Sequence, residues 1–234
     1  MNTFLSIFKD FISLIYPPTC ASCVNILENE SDIICLNCLG KLPKTNSHKR
    51  DLPYLKEKFY GRIQLQELHA FLHYKKKGIT QSLFYEFKYK GRNDVAILLG
   101  KLFGFELQHI TFFKNTGCIL VPIPLHPSKQ SQRGYNQSEE ICKGLSESLQ
   151  LPINTTALIR AETGVSQTRK NRIARWESLQ SVFYLNDHSL NNKHVILVDD
   201  VLTTGATFEV CYKEILKCFP KSVSILTLAI APPK

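Results

Sequence analysis

The stretch HVILVDDVLTTGATFEVC, His194–Cys211, decides the fold of this 234-residue chain. Four consecutive apolar residues, 195–198, run directly into Asp199 and Asp200. A segment rich in threonine and glycine follows, and then a pattern typical of a helix. An apolar run with little alternation is typical of a parallel strand covered on both faces. The stretch therefore predicts a buried strand that ends in paired carboxylates, then a short loop, then a helix.

The same alternation of apolar runs and helical patterns extends over most of the chain. Further strands are predicted at 68–74, 117–124 and 222–231, and further helices at 78–91, 95–107 and 136–149. Strands that alternate with helices in this way predict an α/β fold with a doubly wound, mainly parallel sheet.

The chain carries a net charge of +9, which favours anionic partners such as phosphates, nucleic acid or a membrane surface. The same charge is also compatible with a simple role in solubility. No apolar run reaches the roughly 20 residues that a membrane-spanning helix needs. Apolar residues at helical spacing predict a short amphipathic helix before Pro17. This segment lacks a basic leader and a small-residue cleavage site, so we expect a cytoplasmic protein.

Two C-x2-C pairs near the amino terminus are separated by eleven residues. The pairs are formed by Cys20, Cys23, Cys35 and Cys38. Four thiolates at this spacing suit one tetrahedral zinc ion. The alternative, two disulfides, is typical of secreted chains and is disfavoured here. With four sulfur ligands no position is left for a reactive water, so the zinc is expected to be structural.

The motifs divide the chain into three parts. Residues 1–44 form the predicted helix and four-cysteine zinc ribbon. Residues 45–58 form a polar, basic connector. Residues 59–234 form the α/β domain. The other four cysteines lie in apolar or helical contexts, which predicts small core residues.

Ligands of a parallel sheet bind at the carboxyl ends of its strands. Asp199 and Asp200 are expected to be exposed there, where carboxylates accept hydrogen bonds from a vicinal diol. Threonines, a glycine and a helix N-terminus follow, and such a loop offers N–H and O–H donors to a phosphate. Carboxylates that bind a diol, next to a loop that binds a phosphate, suit a sugar phosphate as the ligand, specifically ribose 5-phosphate.

The stretch VILVDDVLTTGAT resembles the phosphoribosyl pyrophosphate (PRPP) signature of type I phosphoribosyltransferases. The resemblance implies that Asp199 and Asp200 hold the ribose hydroxyls. It also implies a cradle for the 5′-phosphate that consists of Thr203, Thr204, Gly205, Ala206 and Thr207.

Two further motifs are similar to those of the ComF (competence protein F) family. They are FKYKG at 87–91 and VPIPLHPSKQSQRGYNQ at 121–137. Because the four-cysteine ribbon is also part of that family's layout, the resemblance covers nearly the whole chain. It implies a role in DNA uptake during natural transformation, together with other DNA-uptake proteins.

Two cations follow the strand that ends in VPIP, at the same edge of the sheet as Asp199. Lys129 and Arg133 are expected to face the pyrophosphate, and Arg133 offers a planar, bidentate donor. Solvated loop charge is the alternative. Residues 163–183 are interpreted as a hood over the site. In this region Gln167 and Arg175 match the ComF pattern, whereas Ser178 stands where that pattern has asparagine.

Phosphoribosyl transfer breaks the bond between ribose carbon 1 and pyrophosphate. Carboxylates near the ribose and cations near the leaving group both assist, so Asp199, Asp200, Arg133 and Arg175 are the candidate catalytic residues. Magnesium is expected to arrive with PRPP. The early cysteines belong to the ribbon pattern, which excludes a cysteine nucleophile for glutamine-dependent amide transfer.

Two functional classes stay open at this point: a phosphoribosyltransferase whose acceptor the sequence does not specify, and a PRPP-binding protein that handles single-stranded DNA. For the second class, lysines interleaved with aromatic residues could track a backbone while rings stack on bases. The candidate lysines are Lys75, Lys76, Lys77, Lys88 and Lys90. The spacing of Phe84 and Phe87 predicts core packing for these two rings instead.

Overall fold

The computed structural model describes residues 17–114, 117–161 and 182–231. The helices are α1 (Leu36–Gly40), α2 (Pro53–Lys56), α3 (Ile79–Tyr89), α4 (Asn93–Leu107), α5 (Pro127–Arg133), α6 (Gln137–Leu149) and α7 (Ala206–Leu216). The strands are β1 (Leu68–His73), β2 (Cys118–Pro122), β3 (Leu158–Arg160), β4 (Phe183–Leu185), β5 (His194–Leu202) and β6 (Ser222–Ile230). A short 3-10 helix spans Thr111–Lys114.

The main sheet has four strands in the order β1-β6-β5-β2, and every neighbouring pair is parallel. Strand β5 lies inside the sheet, where Val198 pairs with Pro122 on one side and with Leu226 on the other. Its first five residues are all buried, as expected for a strand covered on both faces. The predicted parallel α/β fold is therefore confirmed.

The sheet separates two hydrophobic clusters. One contains Ile196 and Val198 of β5 together with residues of α3, α4 and α6. The other contains Val195 and Leu197 together with Phe208 of α7. Successive side chains of a strand point to opposite faces, so this alternation shows that β5 is sandwiched between two helical layers.

Helices α4 and α6 approach each other so closely that a glycine is required at their contact. A Cβ atom placed on Gly144 would lie 2.0 Å from the carbonyl oxygen of Ile97. This close approach fixes α6, and with it the residues at the start of α6 that face the candidate site.

A second sheet consists of β3 and β4, which pair antiparallel over three residues each. The sequence did not predict this pair. Of the segment interpreted as a hood, residues 163–181, including Gln167, Arg175 and Ser178, lie outside the described residues, as does the predicted amino-terminal helix. The last two residues of the hood segment, Val182 and Phe183, are buried, and Phe183 begins β4.

The four remaining cysteines, at positions 118, 142, 211 and 218, are buried. Burial also raises the pKa of Cys118 to about 11, so this thiol stays protonated at neutral pH. The prediction of small core residues is confirmed. Among the described residues, no helix combines the length and the apolar character that crossing a membrane requires.

Candidate functional site

The carboxylates of Asp199 and Asp200 lie near the carboxyl end of β5 and make different contacts. One oxygen of Asp199, Oδ1, accepts hydrogen bonds from the hydroxyl of Ser138 and from the N–H of Asp200, both at 2.9 Å. Asp200 Oδ2 lies 2.6 Å from Nζ of Lys88. Both residues are partly buried, so the expectation of two exposed carboxylates is wrong. The first residues of α6 and the end of α3 cover them.

The pKa of Asp199 is raised to about 7. Burial is the largest cause and the adjacent charge of Asp200 is the second, while the N–H of Asp200 and the hydroxyl of Ser138 act in the opposite direction. A carboxyl with this pKa exchanges its proton near neutral pH. Asp199 can therefore accept a hydrogen bond from a ligand hydroxyl when it is ionised, or donate one to a ligand oxygen when it is protonated, at little cost in free energy.

The loop after β5 leads into α7 through Gly205, which has a φ of +83° and caps the helix. Thr203, Thr204 and Thr207 are exposed, whereas Gly205 is buried. The structure thus places hydroxyl and N–H donors directly after the two carboxylates, in the order that the sequence predicts. A helix N-terminus with open donors suits an anion.

The segment after β2 contributes Arg133, which donates a hydrogen bond to Gln137 Oε1 at 2.7 Å and lies 5.4 Å from the ring centroid of Tyr89. Arg133, Tyr89 and Lys88 line one cleft. Because Lys88 also contacts Asp200, this cleft adjoins the carboxylates. Lys129 is exposed on the same helix, and the described contacts do not join it to either aspartate.

His126 lies in the same segment and has a structural role. Its Nδ1 accepts a hydrogen bond from the N–H of Ser128 at 3.2 Å and so caps α5. Asn136 likewise caps α6 by accepting from the N–H of Ser138 at 3.1 Å. The two caps fix where α5 and α6 begin, and hence where Arg133 and Ser138 lie.

A cleft of about 1000 Å³ opens beside Asp200 between α3 and the ends of β1 and β5. Its lining includes Lys75, Lys76, Lys88 and the exposed rings of Tyr85 and Tyr89. These two rings lie 5.4 Å apart, centroid to centroid. Basic and aromatic groups therefore share one surface next to the carboxylates.

The other lysines and aromatic residues of the predicted set have different environments. Phe84 and Phe87 are buried, which confirms their core packing and removes them as stacking platforms. Lys90 forms an ion pair with Glu86 at 2.9 Å, and Lys77 is exposed. The accessible part of the set thus consists of lysines and two tyrosines.

The sulfur atoms of Cys20, Cys23, Cys35 and Cys38 all lie within 4.8 Å of one another. The Sγ atoms of Cys23 and Cys35 are 3.8 Å apart. Two ligands of a tetrahedral zinc with Zn–S bonds of about 2.3 Å would be about 3.8 Å apart. The cluster therefore has the ligand atoms and the dimensions to hold a zinc ion.

Backbone N–H groups support a thiolate at Cys20. Its sulfur accepts from the N–H groups of Ser22 and Cys35, both at 3.4 Å. Burial raises the pKa of this thiol, but the N–H donors outweigh burial and lower the pKa to about 6. N–H donors around a cysteine sulfur are the outer contacts that a metal-bound thiolate uses.

Comparisons with known proteins relate the chain to phosphoribosyltransferase domains and to competence proteins. Residues 136–234 match the family model described as "Phosphoribosyl transferase domain". Competence protein ComFC of Bacillus subtilis is 26% identical over 210 residues, which cover 89% of this chain and 82% of that protein. The chain is a homologue of competence protein ComFC.

Shorter matches relate the chain to two further bacterial proteins. DNA utilization protein YhgH of Escherichia coli K12 is 30% identical over 129 residues, or 53% of this chain. Competence protein F of Haemophilus influenzae is 30% identical over 114 residues, or 48% of this chain. The match spans about half the length of these two relatives, 56% and 50% respectively.

Two solved structures align with about three fifths of the chain. The glutamine PRPP amidotransferase from B. subtilis has a TM-score of 0.42 and 16% identity, covering 61% of this chain and 30% of that one. A hypoxanthine phosphoribosyltransferase from Staphylococcus aureus has a TM-score of 0.35 and 19% identity, covering 60% of this chain and 65% of that one.

Sequence reasoning missed several contributors to this region. Ser138 holds Asp199, although the sequence marks Ser138 only as part of a helix start. The connector also reaches the Thr203–Thr207 loop through Lys58, and no local pattern signals a contact between segments so far apart in the chain.

Proposed function

We propose that this ComF-type protein binds Mg–PRPP at the carboxyl end of β5 and transfers its phosphoribosyl group to an acceptor during DNA uptake. The observation that carries the proposal is the continuous order of two carboxylates, an open donor loop and a helix N-terminus in residues 199–207. The names of the relatives, which refer to competence and DNA utilization, support the cellular role.

In this proposal each group acts on one part of the ligand. Asp199 and Asp200 accept hydrogen bonds from the ribose hydroxyls, and residues 203–207 hold the 5′-phosphate. The carboxylates stabilise the positive charge that develops on the ribose as the bond to pyrophosphate breaks. Mg²⁺ arrives with PRPP and neutralises part of the pyrophosphate charge.

In the same proposal, cations stabilise the negative charge of the pyrophosphate as it leaves. Arg133 and Lys88 line one cleft beside Asp200, which supports a role for both at the pyrophosphate. Arg133 presents a planar donor whose side chain is already held by Gln137. Lys129 and Arg175 complete the predicted set and stay predictions from the sequence.

Calorimetric titration with Mg–PRPP tests the ligand. The Asp199→Asn/Asp200→Asn double variant should lose binding, since it removes the proposed acceptors of the ribose. Asp187→Asn, which also removes a carboxylate charge but lies before β5, should bind as the wild type does. Equal affinity in the double variant and the wild type would reject the ribose assignment.

Pyrophosphate release tests catalysis separately from binding. A screen of nucleobases, nucleosides and single-stranded oligonucleotides as acceptors should find one that makes PRPP release pyrophosphate. Saturable PRPP binding without release across the whole screen would favour the second class, a protein that binds PRPP without transferring it.

A second candidate function, binding of single-stranded DNA, rests on the cleft that joins Lys75, Lys76, Tyr85 and Tyr89. Backbone phosphates would contact the lysines, and bases would stack on the tyrosines. Anisotropy with a labelled oligonucleotide should show affinity that falls steeply with salt. Alanine at Lys75, Lys76 and Lys77 should weaken binding and reduce the salt slope.

The matched control for the DNA experiment is alanine at Lys193, Lys217 and Lys221. It removes the same charge, but Lys193 and Lys221 precede β5 and β6 and therefore lie at the opposite edge of the sheet. If both triple variants weaken DNA binding equally, net charge and not this cleft is responsible.

We propose that the four-cysteine cluster holds one structural zinc ion. The short distances among the four sulfurs and the N–H donors around Cys20 support this assignment. All four ligand positions are sulfur, so the metal would contribute folding energy and not chemistry.

A further inference from the structure

In the folded chain the predicted connector continues past residue 58 without a strand as far as β1, and this longer stretch, 45–67, is called the connector from here on. It contacts the proposed phosphate loop through two cations. Lys58 Nζ donates a hydrogen bond to the carbonyl oxygen of Thr203 at 2.6 Å. Arg62 donates through Nη2 to the carbonyl oxygen of Thr204 at 3.2 Å, and through Nη1 to Glu209 Oε2 at 3.1 Å. Two consecutive peptide groups of the loop are therefore held by one short segment, which follows α2 and precedes β1.

Because a peptide group is planar, the two contacts also determine which way the N–H groups of the loop point. In a trans peptide the N–H points opposite to the carbonyl of the preceding residue. Since Lys58 holds the carbonyl of Thr203, the N–H of Thr204 points away from the connector. The same holds for the N–H of Gly205, because Arg62 holds the carbonyl of Thr204. The structure shows no acceptor for either N–H within the part of the chain that it describes.

An aromatic contact completes the attachment. Phe59 is buried and meets Phe208 of α7 edge to face, with ring centroids 6.3 Å apart. A Cβ atom on Gly205 would lie 2.6 Å from the ring of Phe59. The connector thus packs directly on the residue that begins α7, and only glycine leaves room for it.

The two cations are already engaged, which separates them from ordinary phosphate ligands. Lys58 is used by a carbonyl, and Arg62 is shared between a carbonyl and Glu209. Their positive charge favours an anion nearby, but their contacts are to the loop backbone.

We propose that Lys58, Phe59 and Arg62 are positioning residues, which hold the loop at 203–207 so that its free amides face the 5′-phosphate of the ligand. Binding of that phosphate and docking of the connector are then thermodynamically coupled, and the coupling is reciprocal. This inference rests on the proposed function and adds to it an element that lies outside the matched domain at 136–234.

Ribose 5-phosphate and Mg–PRPP are the probes, because both carry the 5′-phosphate. The Lys58→Gln/Arg62→Gln variant should bind each of them about tenfold more weakly, which corresponds to about 1.4 kcal/mol. The control variant, Lys49→Gln/Lys56→Gln, removes two exposed charges from the same connector and should bind as the wild type does. Equal weakening in both variants would mean that charge alone matters and would overturn the positioning role.

Hydrogen exchange on the unsubstituted protein gives an independent test. Ribose 5-phosphate should slow exchange in residues 57–63 as well as in residues 203–208, because the coupling is reciprocal. Ligand binding that leaves exchange in the connector unchanged overturns the inference even if the double variant does not fold. A wild-type protein that binds neither probe rejects the proposed function itself, whereas tight binding without connector protection rejects only the coupling.

Discussion

Lys88 contacts Asp200 across the site: the lysine Nζ lies 2.6 Å from Oδ2 of the carboxylate. Lys88 also lines both clefts that adjoin Asp200, the one that contains Arg133 and the one that contains the tyrosines. In the free protein the lysine compensates the charge of the carboxylate pair. In the proposed complex it lies where it can transfer its hydrogen bond to a pyrophosphate oxygen.

Lys88→Met should therefore separate two ligands. PRPP affinity should fall about tenfold, because the variant loses a cation at the pyrophosphate. Ribose 5-phosphate has no pyrophosphate, so its affinity should change by less than about threefold, a difference below 1 kcal/mol. Calorimetric titration measures both. Lys90→Met, at the C-cap of the same helix but paired with Glu86, is the control, and equal losses for both ligands would contradict the proposed role of Lys88.

Asp199 should make the stability of the protein depend on pH. Its pKa is raised to about 7 in the folded protein, whereas the ordinary value is 3.8. Between about pH 4 and about pH 7 the unfolded chain loses a proton that the folded protein keeps, so the free energy of unfolding falls as the pH rises. At 1.36 kcal/mol per pKa unit, the full effect is on the order of 4 kcal/mol.

Urea unfolding over this pH range checks the sign. Asp199→Asn should remove the fall in stability, because asparagine does not ionise. Asp187→Asn is a contrast. Hydrogen bonds from Ser189 lower the pKa of Asp187, so the stability that this carboxylate contributes to the fold is lost as the pH falls. Parallel stability curves for the wild type and Asp199→Asn would contradict the raised pKa of the partly buried Asp199.

Zinc should be present at about one ion per chain and should support the fold. Elemental analysis of protein purified without a metal-binding tag measures the content. Cys35→Ser should lose most of the metal and lower the unfolding temperature, because metal-binding energy is folding energy at such sites. Cys118→Ala, at a buried thiol outside the cluster, should keep the full zinc content. Folded protein that contains all four thiols but no zinc contradicts the assignment.

Gly205→Ala should destabilise the protein and weaken binding of phosphate-bearing ligands. Alanine at a φ of +83° is strained, and its Cβ would collide with the ring of Phe59. We expect a loss of at least about 1–3 kcal/mol in the free energy of unfolding. Gly40→Ala is the control, because nothing lies within 4 Å of a Cβ there and its φ is not positive. Urea unfolding of the two variants gives the comparison, and equal stabilities would contradict this account of the loop.

The sequence was informative where one local pattern determined one local structure. Val195–Val198 predicted a buried strand, because such a run has no polar face to leave in water. The paired cysteines predicted a compact cluster for a similar reason, since metal ligands need fixed spacing. Both features are present in the structure.

Contacts between distant segments were not predictable in this way. Ser138 and Lys88 reach the aspartates from helices whose apolar faces decide their placement, and nothing in the sequence marked either residue as a contact of an aspartate. Strands β3 and β4 are three residues long, too short for a period to show. Lys58 and Arg62 belong to a polar segment without periodicity, and only the folded chain brings them to the loop.

The cysteine cluster also has a consequence for how the protein can be divided. Cys20, Leu27, Ile34 and Cys38 belong to the same hydrophobic cluster as the buried residues of α3, α4 and α6. A fragment that starts at residue 59 would lack these members of the cluster, so apolar side chains packed against them would be exposed and would promote self-association. Loss of solubility in a ribbon deletion would therefore hide any effect on function. Point substitutions at single cysteines avoid this problem.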